Sequence, residues 1–154
     1  MKKETRHSGE IEFVTVMIGD QLFGMPIDRV HDVFAADRVT RVPLARPEIA
    51  GILNLRGRIV TMIDMRKCLD LPPCPGAADQ MALGIEFHGE SYGLLIDEVG
   101  EVMKLAATQQ EPVPVNLDPR WARVASGIFR LEEALMIVLD IDRVLESQPR
   151  EAAA

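Results

Sequence analysis

Two aspartates recur in matching surroundings, Asp28 in PIDRV and Asp97 in LIDEV, and His31 follows the first of them closely. Paired carboxylates with an imidazole are the raw material of acid–base catalysis, but the imidazole needs a group to orient it. No carboxylate-orienting motif accompanies His31, so its expected place is a partly exposed surface. A repeated aspartate is explained by capping or turn bonding, which a duplicated framework needs without any reaction. A deep pocket lined by Asp28, Asp97 and His31 would favour an enzyme. The remaining reactive groups are dispersed. Cys68 and Cys74 flank a Pro-rich turn outside any CxxC pair, and His7, His31 and His88 have no ligand-like spacing. A four-ligand metal site is therefore not expected, and both cysteines read as free thiols. GDQLFG is neither a GxGxxG loop nor a Walker motif. No catalytic residue and no cofactor is expected; Met17, Met25, Met62, Met81 and Met136 fall in strand-like runs and read as core.

The elements that hold these residues belong to a chain of 154 residues, 47% hydrophobic, enough for one compact domain or two small subdomains sharing a core. No apolar run reaches the ~18 residues a membrane span needs. MKKETRHSGE has no apolar stretch behind it, so it is not read as a secretory signal, and a cytoplasmic location is expected. A pI of about 5.0 argues against nucleic acid, which calls for a Lys/Arg surplus. Charge is nonetheless uneven. From Arg38 to Lys67, seven Lys and Arg stand against Glu48 and Asp64, +5 on a chain of net −7, which leaves −12 for the rest. A basic segment in an acidic protein reads either as solvated surface or as a docking face for an acidic partner.

The chain is written twice. FGMPIDRVHDV (Phe23 to Val33) matches YGLLIDEVGEV (Tyr92 to Val102) at an offset of 69, and GILNLRGRIVTMIDMRKCL (Gly51 to Leu69) matches GIFRLEEALMIVLDIDRVL (Gly127 to Leu145) without gaps at 76. Two blocks in the same order imply a tandem duplication. One domain over 1–154 is expected, with a first barrel half at about 10–70, a second at about 79–145 and a tail at 146–154; LPPCPGAAD (Leu71 to Asp79) is the linker.

Each half reads as β. Short Val-, Ile- and Leu-rich runs flank Gly19-Asp20, Arg56-Gly57-Arg58, His88-Gly89-Glu90 and Glu132-Glu133, and small closed barrels fit such runs. Arg56-Gly57-Arg58 is expected to be a three-residue connection with Gly57 left-handed in a bulge. Asp64 and Asp140 are expected to N-cap short helices that bury Met65, Cys68 and Leu69, and Ile141, Val144 and Leu145, with Pro149 ending the second. EPVPVNLDP (Glu111 to Pro119) reads as an extended return across the barrel. The matching tips differ in sign, NLRGR in the first half against RLEEA in the second. Fold maintenance does not require that inversion, so the halves are expected to face different partners.

EFVTVMIGDQLFGMPIDRVHDV, GILNLRGRIVTMIDMRK, YGLLIDEVGEVMKL and GIFRLEEALMIVLDIDRVL together resemble the CheW-type chemotaxis adaptor family over Glu10 to Leu145. The resemblance implies an all-β fold of two five-stranded SH3-like barrels side by side with short helices and a C-terminal helix. It also implies a non-catalytic scaffold in membrane-associated arrays, whose partners are the cytoplasmic tip of a chemoreceptor and the regulatory domain of a chemotaxis histidine kinase. By position, Val30, Asp32, Gly51, Asn54, Arg56 and Gly57 match residues linked in the family to receptor engagement; Val99 and Val102, their counterparts of Val30 and Val33 by the duplication, are candidates for a second interface. Thr61 departs from the Pro often found there, and His31 and Asp32 depart from common choices. Array assembly through several weak contacts implies a monomer in isolation. The alternatives are an adaptor of a non-flagellar chemosensory pathway, a peptide-binding SH3-like module, and a small β-barrel enzyme.

Overall fold

A computed structural model describes residues 9–36, 39–72, 80–132 and 134–146. Among the described residues ten strands run in chain order: β1 Glu10–Ile18, β2 Gln21–Pro26, β3 Asp32–Ala35, β4 Ile49–Leu55, β5 Arg58–Asp64, β6 Met81–Phe87, β7 Glu90–Ile96, β8 Glu98–Ala106, β9 Ala125–Arg130 and β10 Leu135–Leu139. Helices α1 (Met65–Cys68), α2 (Pro119–Ala122) and α3 (Ile141–Glu146) are short, and 3-10 turns follow β2 (Ile27–Arg29) and β8 (Ala107–Gln109).

The strands form two five-stranded sheets, β8-β1-β2-β10-β9 and β3-β6-β7-β5-β4. Matching β1 to β6 and onward to β5 and β10 makes the two orders identical, so the duplication visible in the sequence is a pseudo-twofold of the fold. The division of the halves differs from expectation. Residues 10–70 give β1 and β2 to one sheet but β3, β4 and β5 to the other, and residues 79–145 do the reverse. Neither sheet comes from one half. The edge of β2 pairs in parallel with β10, Phe23 opposite Ile137, and β7 pairs in parallel with β5, Gly93 opposite Met62. Pro26, at φ −56°, leads into the 3-10 turn that carries the chain out of the first sheet before β3 joins the second. Parallel neighbours require a crossover, and here the crossover is the other sheet.

Three apolar cores follow from the two faces of each strand. The largest lies between the sheets: Val14, Val16, Phe23, Met25, Ile128 and Ile137 meet Ile63, Leu83, Ile85, Leu94 and Ile96. The outward face of each sheet encloses a smaller core. Phe13, Phe129, Met136 and Val138 fill one, with the two rings edge to face at 5.3 Å. Their counterparts Ala82, Leu53, Val60 and Met62 fill the other, where Phe34 packs in from the edge. Large rings at two positions thus face small side chains at the equivalent two, so the barrels are alike in topology and unlike in filling.

Asp64 accepts from the Arg66 and Lys67 N–H groups at 3.0 and 3.3 Å, and Asp140 accepts from Arg143 N–H at 3.2 Å, so both N-caps stand as expected. Met65, Cys68, Leu69, Ile141, Val144 and Leu145 are all buried. The Pro-rich return differs in part. Glu111 bridges Ile128, but the chain then turns into α2, with Asp118 accepting from Arg120 N–H and Pro119 in the first turn. Asp118-Pro119 was a readable cap signal. Trp121 Nε1 and Arg123 Nη2 then donate to the Leu69 and Cys68 carbonyls, closing the open end of α1 at 3.3 and 3.2 Å. Cys74, His7, Arg38, Glu133 and Pro149 lie outside the described residues.

Candidate functional site

The β4–β5 tip is tighter than expected. Leu55 pairs with Arg58, so the loop is Arg56-Gly57 alone, and both residues are left-handed, φ 54° and 85°. That is a type I′ connection, whose twist matches the flanking strands and which asks for Asn or Gly at its first position. Arg56 holds that place against its conformational preference. Asn54 Oδ1 accepts from Gly57 N–H at 2.9 Å and closes the turn, which assigns Asn54 a structural bond besides its exposure. His88-Gly89 repeats the geometry in β6–β7, at φ 51° and 81°.

Electrostatics set this tip apart. Arg29, Arg46, Arg66, Arg120, Arg130 and Arg143 each hold a carboxylate. Among the described residues Arg41, Arg56, Arg58 and Arg123 hold none; the first three lie in the basic segment, and Arg123 donates instead to the Cys68 carbonyl. Ile59, 56% exposed, follows Arg58. The Arg56 and Arg58 guanidinium forks can take a carboxylate, while Ile59, the next residue of β5, faces the other side of the strand and offers a separate apolar contact. In the matching tip of the second half Glu132 stands for Arg56 and Ala134 for Arg58, and Arg130, in the place of Asn54, is bonded through Nε to both oxygens of Glu111 at 2.9 and 3.0 Å.

The other candidates separate into edge and interior. Val30 follows the 3-10 turn, its N–H bonded to Ile27 O, and packs half-buried against the shared core. Val99 packs there too, opposite Val16, while Val102 is 49% exposed on β8, like its counterpart Val33 at 42%. Gly51 is buried, not presented. A side chain there would collide with Thr40 O and approach Thr40 C and Val39 Cγ1 at 2.8 Å, because the Thr40–Ile52 bridge lies across it. Its role is to admit that crossing.

Asp32 lines a shallow notch, open to solvent, with His31, Phe34, Leu55, Arg58, Gly84 and Tyr92. The duplication explains the notch. In the other barrel, Thr15 occupies the place of Gly84 and donates through Oγ1 to Glu101 O at 2.7 Å, across a bulge at Gly100. Gly84 leaves that space to the Asp32 carboxylate. Asp28 and Asp97 do not line it. Asp97 instead accepts from Arg66 Nε and Nη2 at 3.0 and 2.6 Å and from Gly19 N–H at 2.8 Å, a partly buried clamp between α1 and the β1–β2 turn that spacing alone did not reveal. His31 is half-exposed, 3.7 Å from Glu86. The Cys68 thiol is pushed up to about 12, first by burial and then by the Glu48 and Asp64 carboxylates, which makes it a poor nucleophile. Among the described residues no group of His, Cys, Asp and Glu is placed to hold a metal ion, and no helix is long and apolar enough to cross a membrane.

Comparison with known proteins agrees with this architecture. The CheW-like domain family matches residues 12–149. Chemotaxis protein CheW of Klebsiella aerogenes is 28% identical over 137 residues, 89% of this chain and 82% of that protein. Protein PilI of Pseudomonas aeruginosa is 24% identical over 124 residues, 78% of this chain and 67% of that one. The crystal structure of the scaffolding protein TtCheW from Thermoanaerobacter tengcongensis superposes with a TM-score of 0.75 at 27% identity, covering 84% of this chain and 88% of that one.

Proposed function

The chain belongs to the CheW-like domain family, and from that premise we propose that it is a non-catalytic adaptor coupling chemoreceptors to a chemotaxis histidine kinase. The observation that carries the surface assignment is the Arg56-Gly57 tip. Its arginines are exposed and hold no carboxylate among the described residues, while the matching positions of the other half carry Glu132 and Ala134. An acidic stretch of the receptor's cytoplasmic tip is the partner such a surface fits, with Asn54, Gly57 and Ile59 shaping the contact, Val30 and Asp32 flanking it, and Gly51 holding β4 in place. Val99 and Val102 are assigned to the second partner, the kinase regulatory domain. The protein acts in the cytoplasm, is recruited to receptor arrays, and is a monomer in isolation.

The test is a calorimetric titration of wild type and Arg56→Glu against a receptor cytoplasmic fragment and, separately, the kinase regulatory domain. Charge reversal should weaken the receptor contact at least tenfold, the scale of one well-formed charge-assisted contact, with the melting curve unchanged. No binding of either partner by wild type would refute the adaptor reading; equal binding by Arg56→Glu would remove the tip from the interface. A second reading places the adaptor in a chemosensory pathway that drives something other than flagella. Similarity to Protein PilI, a relative whose name is not that of a chemotaxis protein, favours it.

A further inference from the structure

Leu44 stands where neither its backbone nor its side chain is at ease. Ala45 N–H donates to Val42 O at 3.3 Å, closing a turn with Pro43 and Leu44 at its centre. Proline at the first central position and a positive φ at the second, 63° at Leu44, are the marks of a type II turn, which calls for Gly or Asn at the second. A branched apolar side chain is disfavoured there. Leu44 is also 103% exposed, and Val42 beside it is 39% exposed. Exposure alone decides nothing: Val115 is 104% exposed in the second half without a left-handed backbone, and single exposed aliphatics are common. Backbone strain and full exposure at one residue are independent costs to the fold, and the described residues show no contact that offsets either. Residues held in such backbone regions cluster at functional sites, which makes Leu44 a candidate contact.

The neighbours define that partner. Arg41 is exposed and holds no carboxylate among the described residues. Thr40 pairs with Ile52, so the chain from Thr40 to Leu44 runs along β4 away from the Arg56 tip. At about 3.3 Å per residue, the turn and the tip lie roughly 20 Å apart, at opposite ends of one strand. A contact at one end leaves the other free, the arrangement an adaptor needs to hold two proteins at once.

We propose that Leu44 is an apolar knob that seats in a notch rimmed by carboxylates on the kinase regulatory domain, with Arg41 meeting the rim. The inference rests on the adaptor reading and adds a kinase-side contact to it. Calorimetry of wild type, Leu44→Gly and Arg41→Glu against the kinase regulatory domain tests it, with the receptor cytoplasmic fragment as second titrant and thermal unfolding run in parallel. Glycine suits the turn, so Leu44→Gly should melt at the wild-type temperature or up to about 4 °C higher, while its affinity for the kinase domain falls about tenfold or more. Arg41→Glu should weaken the same contact, and neither variant should change receptor affinity more than about twofold. A clear drop in melting temperature for Leu44→Gly would mean that the leucine serves the fold and would overturn the proposal. So would unchanged kinase affinity in that variant, or a loss that falls on the receptor fragment. Unchanged binding by Arg41→Glu would overturn the acidic rim. Failure of wild type to bind either protein would instead refute the adaptor reading itself.

Discussion

Gly51→Ala separates a residue that holds a surface from one that is the surface. Gly51 sits at φ 150°, and an added Cβ would collide with Thr40 O and lie 2.8 Å from Val39 Cγ1. The 39–41 segment has to retreat from β4. Retreat breaks the reciprocal Thr40–Ile52 pair, whose two N–H···O bonds are each 2.8 Å. Two lost backbone bonds cost about 2 kcal/mol, and forcing alanine into a glycine-only backbone region costs about 1–3 kcal/mol more. The sum, about 3–5 kcal/mol, is a large part of a typical domain's 5–15 kcal/mol. With a urea slope of about 2 kcal/mol per molar, the midpoint should fall by about 2 M. Receptor binding should fall only as far as the folded fraction falls, and return when temperature or an osmolyte restores folding. A loss under about 1 kcal/mol, or weak binding by a fully folded variant, would refute the reasoning and return Gly51 to the contact surface.

The interlocked topology makes a second expectation. Residues 1–72 expressed alone lack β8 and β10, the neighbours of β1 and β2, and should show neither the circular dichroism of a sheet nor a cooperative melt; a folded fragment would mean that one half closes by itself. Cys68 makes a third. Its thiol stays protonated in the fold up to about 12 against 9.0 in its absence, so its contribution is fully present below pH 9 and is lost as pH climbs from 9 to 12. The loss amounts to about 1.4 kcal/mol per pH unit, or about 2–3 kcal/mol by pH 11. Cys68→Ala should unfold with a shallower alkaline slope between pH 8 and 11, and identical slopes would contradict the assignment.

Much of the local structure was legible because it is locally caused. Gly19-Asp20 marked a hairpin, Asp64 and Asp140 marked two caps, and the aliphatics after them marked the buried faces of α1 and α3. Repetition at two offsets announced the duplication, since paired copies of one framework keep the same glycines and aliphatics. Charge counting singled out the basic segment. All of these signals reside within a few residues of each other or in a direct comparison of two stretches.

What the tertiary structure alone decided is which groups meet. Similar halves say nothing about which copy of the last strand pairs with β2, and the answer, β10 of the other half, follows from burying one shared core between two sheets. The Arg56 turn became two residues because Leu55 and Arg58 pair, a matter of register. Gly51 reads as structural because the Thr40 bridge crosses it, and Gly84 made a notch because Thr15 stands in its place across the pseudo-twofold. Arginine was visible in the sequence everywhere, but only packing showed which arginines the fold neutralises and which, at 41, 56, 58 and 123, it leaves without a carboxylate among the described residues. A sequence specifies the charge a residue carries; its surroundings decide whether that charge is already answered.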